Sequence, residues 1–148
     1  MNRDNRGFSL LELLIVVAII LIIATIAIPS LLRSRQAANE SAAVANIRTI
    51  NTAEITYISS SGGFYTDLAT LASAGPSGGL LDSRFTANPV QGYNYTLTLS
   101  AAKDDYTIFA SPAGNNGRWG YYSTPDAVIR YSTQSALAPT NQVGMPVQ

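Results

Sequence analysis

From Phe8 to Ile28 the chain runs for 21 positions with a single charge, Glu12. This segment restricts the fold more than any other. About 20 apolar residues in a helix cross a hydrocarbon core of roughly 30 Å, and a helix that is apolar all round has no polar face to offer water. The segment therefore predicts a membrane-inserted helix. Two arginines, Arg3 and Arg6, lie just before it and favour retention on the cytoplasmic side. Glu12 is the anomaly, because an acid carried to mid-bilayer costs up to about 3 kcal/mol. Two readings stand side by side. Glu12 is an interfacial acid meeting the positive end of the helix dipole, or it needs a positive partner inside an apolar assembly. A new amino terminus at Phe8, on the same chain or a neighbour, would be such a partner.

A helical pattern continues past the apolar run. Ser30 to Ser60 contains neither glycine nor proline, and alanine is frequent. Ala43, Ile47, Ile50 and Tyr57 recur near the helical period, with Glu54 interrupting the stripe. A helix over residues 8–60 would be about 80 Å long. Fewer than 90 residues remain to cover it, so its first half (8–28) must be buried by lipid and then by neighbouring subunits. Pro29 interrupts this helix, removing one backbone hydrogen bond and crowding the preceding turn. It reads either as a helix end at the membrane surface or as a kink.

Ser59-Ser60-Ser61-Gly62-Gly63 ends the helix. Residues 61–92 read as a connector, with a short helix around Asp67, Leu68 and Leu71 broken by Gly75-Pro76-Ser77-Gly78-Gly79. Strand signals follow at Tyr93–Leu99 and Tyr106–Ala110, joined by a turn at Ala102–Asp105, then at Arg118–Ser123 and Val128–Tyr131. The predicted fold is α+β, a long N-terminal helix packed on an antiparallel sheet of three to four strands within residues 93–132. The tail, 133–148, reads as loop.

Composition narrows the function. The formal net charge is zero, so no basic excess favours nucleic acid. There is no cysteine and no histidine, which removes disulfides, thiolate and imidazole metal sites, and the usual catalytic triads and dyads. No paired acids suggest a hydrolytic cleft, and no glycine-rich phosphate loop occurs. The expectation is a protein without enzymatic activity, cofactor or metal. Asp104-Asp105 reads as turn chemistry rather than as a calcium site, which needs six to eight oxygen ligands. The eight tyrosines read as strand and interface packing.

Gly7-Phe8-Ser9-Leu10-Leu11-Glu12 resembles the processing site of type IV prepilins and of the pseudopilins of type II secretion. The run Ala110-Ser111-Pro112, Gly117-Arg118, Tyr121-Tyr122 and Val128-Ile129-Arg130 is similar to the C-terminal hairpins of that family. The resemblance implies a leader over residues 1–7, cleavage after Gly7 by a membrane prepilin peptidase, and N-methylation of Phe8. It implies that Glu12 and the Phe8 amine act together in filament assembly, and that Pro29 marks a kink or a stretch that unwinds on packing. The expected protein is a structural pilin. It waits in the bacterial inner membrane and is drawn by an assembly platform and a cytoplasmic motor ATPase into a surface pilus, a helical homo-oligomer. A periplasmic pseudopilin of type II secretion and a minor pilin acting as an adhesive or binding module are the alternatives. Many pilins close a C-terminal loop with a cysteine pair, which this chain lacks. A secretory signal peptide cut after Ala27 would also explain the apolar start, but it has no use for Glu12 and is usually shorter.

Overall fold

The computed structural model describes residues 8–73, 78–132 and 144–147. The chain divides into two units, Met1–Arg35 and Gln36–Gln148. Helix α1, Leu10–Ile58, runs through both. It is unbroken at Pro29, so the helix-end reading of that proline does not hold. Pro29 has no N–H, so the helix omits the bond to the Thr25 carbonyl.

α1 stops at Ile58, two residues before the boundary read from the sequence. The amides of Ser61 and Gly63 reach back to the carbonyls of Tyr57 and Ile58 at 3.0 and 3.3 Å. Gly62 and Gly63 take φ of 77° and 99°, a left-handed backbone that only glycine adopts at no steric cost. The connector carries α2, Leu68–Ser73. Asp67 caps it by accepting from the Thr70 amide at 2.8 Å. A 3-10 turn over Ser83–Thr86 follows, capped by Asp82.

The sheet is antiparallel, in the order β1 (Tyr93–Leu99), β2 (Tyr106–Pro112), β3 (Gly120–Ser123), β4 (Arg130–Ser132) and β5 (Met145–Pro146). Three to four strands were expected, and the fifth is a correction. The stretch read as loop holds Met145 and Pro146, which pair with Tyr131 and Arg130. Two residues carry no alternation from which to infer a strand, and a proline fits an edge strand, where its missing N–H breaks no ladder.

Among its described residues unit 2 has one core. Ala43, Ile47 and Ile50 of α1 are fully buried against Leu71, Phe85 and the inward residues of the sheet, among them Tyr93, Tyr95, Ile108 and Tyr121. Tyr93, Tyr95 and Tyr106 bury their rings and find partners for their hydroxyls, which keeps the cost of a polar interior low. Tyr95 Oη accepts from Asn46 Nδ2 at 2.9 Å. Tyr106 Oη donates to Asn51 Oδ1 at 2.9 Å, and Asn51 Nδ2 donates to Ser123 Oγ at 2.9 Å. Two asparagines on the helix thus fix it against two tyrosines and a serine of the sheet.

Candidate functional site: the N-terminal segment

In unit 1 the apolar helix is bare. No residue of its most apolar 18-residue window is buried. Leu10, Leu11, Leu13, Leu14 and Ile15 open it, and large aliphatic side chains continue in the open to Leu32. This segment is helical because aliphatic residues fill it and neither glycine nor an early proline interrupts it. Its first turn is secured when the Leu13 amide donates to the Ser9 carbonyl at 3.2 Å. Thr25 Oγ1 donates to the Ile22 carbonyl at 2.7 Å, so the hydroxyl is satisfied within its own helix. Aliphatic area on this scale is unfavourable in water. By length and composition the segment can cross a membrane.

Phe8 precedes the helix and is 78% exposed. Glu12 lies in the first turn, on the exposed surface. Both residues therefore sit at the N-terminal end of the apolar segment, one turn apart, where the dipole favours an acid. Gly7, the expected cleavage position, lies outside the described residues, as does the rest of the 1–7 leader. Pro29 lies inside the helix.

In unit 2 the structure gathers polar groups that the sequence did not. Glu40 Oε1 accepts from the Arg118 amide at 2.8 Å and from its Nε at 3.0 Å, and Oε2 accepts from Nη2 at 2.8 Å. Burial pushes the Glu40 carboxyl up, but the hydrogen bonds and charge of Arg118 outweigh it and hold the group below its usual value. Residues 78 apart in sequence offer no local signal for such a pair. Glu54 is fully buried. Its Oε2 accepts from the Thr66 amide at 3.2 Å, and Oε1 has no hydrogen-bond partner among the described residues. Burial first, then the nearby Asp67 charge, lift its carboxyl to about 7 against the pull of the Thr66 amide.

Asp104, weighed above with Asp105, and Asp126 are both engaged by neighbouring groups. Asp104 Oδ1 accepts from Ser100 Oγ at 2.6 Å, tying the β1–β2 turn. Asp126 Oδ2 accepts from Arg130 Nη2 at 2.6 Å, and its Oδ1 accepts from Thr124 Oγ1 and the Val128 amide. These acids fasten turns, Asp126 in part through the Val128 backbone amide.

Residues 2–28 match the family profile described as the prokaryotic N-terminal methylation motif, which covers the segment that carries Phe8 and Glu12. The chain is 30% identical over 145 residues to the type IV wide pilus major component PilA4 of Thermus thermophilus, across 97% of this chain and 99% of that protein. It is 40% identical over 107 residues to the type IV major pilin protein PilA of Myxococcus xanthus, across 72% of this chain and 42% of that one. The first likeness runs nearly end to end, through the bare helix and the five-stranded domain alike, and by it the chain belongs to the type IV pilin family.

Proposed function

We propose that this chain is a major structural subunit of a type IV pilus. The observation that supports it most is the contrast within α1. From Gln36 onward the helix buries Ala43, Ile47 and Ile50 in a finished core, while no residue of the most apolar stretch of its first half is buried among the described residues. Such a surface needs lipid before assembly and other copies of itself afterwards, and its burial would supply most of the cohesion. The curated relatives named above are major components of their pili, which favours this reading over a secretion pseudopilin or a minor, binding subunit. The role is structural and not catalytic.

In this reading the chain is anchored by residues 8–28 in the inner membrane with unit 2 outside the cytoplasm. Prepilin peptidase cuts after Gly7 and methylates Phe8. The motor ATPase and membrane platform then move the chain into a helical surface filament. Cleavage creates the amine that Glu12 requires. When an incoming subunit brings its Phe8 amine into the apolar core, it neutralises a carboxylate whose unpaired burial would cost about 3–5 kcal/mol. Partner selection follows from the penalty for being unpaired rather than from the strength of the pair.

Mass spectrometry of sheared surface filaments tests the reading. The expected result is a dominant chain beginning at N-methylated Phe8. A chain beginning at Ile28, or absence of the protein from purified filaments, overturns it.

A further inference from the structure

The chain contains a single Asn-Gly step, Asn116-Gly117, and it lies in a turn that the helix holds. Asn116 closes the 3-10 turn Gly114–Asn116 that precedes β3. Its Nδ2 donates to the Ala113 carbonyl at 2.7 Å, which folds the carboxamide back over its own turn. Its backbone carbonyl accepts from Asn39 Nδ2 at 2.9 Å, and the Asn115 carbonyl accepts from Gln36 Nε2 at 2.9 Å. Gly117 can be nothing larger, because a Cβ there would run into the Tyr93 phenol, whose hydroxyl donates to the Trp119 carbonyl at 3.0 Å. Such close approach is one of the uses of glycine. The next residue, Arg118, is the one whose amide and guanidinium bind Glu40.

Asparagine is among the thermolabile residues, and a following glycine leaves its own amide nitrogen unshielded by any side chain. The Gly117 nitrogen, on losing its proton, can attack the Asn116 carboxamide carbon. The bond from that nitrogen to Cγ forms, the Cγ–Nδ2 bond breaks, and Nδ2 leaves as ammonia with a proton from water. A second step, in which water adds, opens the five-membered imide at one of its two carbonyls. Opening at Cγ gives aspartate, and opening at the main-chain carbonyl gives isoaspartate. Nothing is oxidised or reduced, and water is the sole co-reactant. Two features of the structure favour the first step. The Asn39 bond draws electron density toward the Asn116 carbonyl oxygen and so acidifies the Gly117 N–H, as one hydrogen bond polarises the next. Asn116 and Gly117 are also only partly buried, so base and water reach them.

We propose that Asn116 is a self-modification site, converted through a cyclic imide with Gly117, and that its isoaspartate product releases the Arg118 loop from α1. Isoaspartate lengthens the main chain by one carbon between the Asn116 Cα and the Gly117 nitrogen. That insertion falls between the carbonyl held by Asn39 and the amide held by Glu40, so the two bonds lose their common register. It also places a new carboxylate two residues before Arg118, where it competes with Glu40 for the guanidinium. The lost amide does not re-form in water, so the product accumulates with time and marks the age of each copy. The inference concerns unit 2 alone and stands apart from the pilin reading.

The full-length protein in detergent, incubated in mildly alkaline buffer made with heavy-oxygen water, reads the reaction directly. Digestion in ordinary water leaves any later conversion unlabelled. Trypsin releases residues 104–118 as one peptide, in which Asn115 and Asn116 carry the only side-chain amides. Fragmentation is expected to place heavy oxygen at position 116 at least tenfold more often than at 115, and isoaspartate methyltransferase should label the same peptide. Heavy oxygen at both positions alike, or at neither, overturns the site. The consequence is read on aged protein by near-ultraviolet circular dichroism. Aged wild type is expected to show a lower-melting fraction that matches the labelled fraction. Asn116→Gln, which would have to close a larger ring, should show none. Labelled protein that melts with the unlabelled, or equal ageing of Asn116→Gln and wild type, overturns the release of the loop.

Discussion

Arg118 grips Glu40 through three hydrogen bonds of 2.8 to 3.0 Å, one of them from its own backbone amide. The carboxylate comes from α1 and the arginine from the loop before β3, so the pair fastens the sheet to the helix. Because the backbone takes part, the contact fixes the path of the chain as well as the side chain.

Glu40→Ala should therefore destabilise unit 2 by about 2 kcal/mol, the range for loss of hydrogen bonds to a charged, largely buried group. Arg118→Leu should cost at least as much, because it leaves a largely buried carboxylate with only the backbone amide as partner, whereas Glu40→Ala leaves an arginine that water can reach. Near-ultraviolet circular dichroism of the detergent-solubilised protein follows this transition, since every tyrosine and the tryptophan lie beyond residue 56. Equal melting temperatures for wild type and Glu40→Ala would show that the pair contributes nothing net. The folded Glu40 value lies below the ordinary 4.5, so its contribution is present above that pH. It is lost as pH falls through the lower, folded value.

Glu54 carries the opposite sign. Its carboxyl is lifted from 4.5 to about 7 by burial and by Asp67, so the folded state holds a proton that the unfolded state has already released. Stability from this group is full below pH 4.5 and falls between there and about pH 7, by about 3 kcal/mol at most. The groups facing it are the Thr66 amide, the Asp67 carboxylate and the Tyr106 phenol, the last already committed to Asn51. Glu54→Gln keeps the acceptor for Thr66 and removes the charge. Melting temperatures of this variant should be nearly flat from pH 5 to 8, while the wild type declines. A parallel decline in both proteins would exclude Glu54 as the cause.

The contrast between these two acids and Glu12 shows what sequence can carry. Glu12 stands out in the sequence because a lone charge in an aliphatic run is anomalous whatever the rest of the chain does. Ala43, Ile47 and Ile50 were legible because burial follows the helical period, and all three are fully buried. Glu54 falls on the same face and looked like an interruption of it. It is buried because the Thr66 amide, arriving from the connector, caps one oxygen, and nothing local announces that loop closure. The Glu40–Arg118 pair and β5 were hidden for the same reason. Each depends on a pairing across the fold, and neither a single charge nor Met145-Pro146 has a period to reveal it.

Asn51 bridges two elements, accepting from Tyr106 Oη and donating to Ser123 Oγ. Tyr106→Phe should cost about 1 kcal/mol, and Asn51→Ala about 2, since it leaves a buried phenol without its acceptor. The double variant should fall short of the sum by about 1 kcal/mol, the coupling expected of directly bonded residues. Additive losses would mean that the hydrogen bond itself adds nothing to packing.

Glu12 provides the test closest to function. The side chain lies on exposed helix surface in the lone chain, so its replacement should leave folding of unit 2, membrane insertion and leader removal untouched. In the proposed assembly its need arises only once it is surrounded by other apolar helices, where an unpaired carboxylate or an unpaired Phe8 amine would be heavily penalised. Glu12→Ala removes the acid and orphans the incoming amine. Glu12→Gln keeps the shape without the charge and orphans it equally. Both variants should accumulate in the membrane with N-methylated Phe8 at wild-type levels, while filament yield falls at least tenfold. Glu12→Asp keeps the charge on a shorter arm and should recover part of the yield. If Glu12→Gln assembles as well as the wild type, the acid acts through size or helix geometry and the charge-pairing account of subunit selection fails.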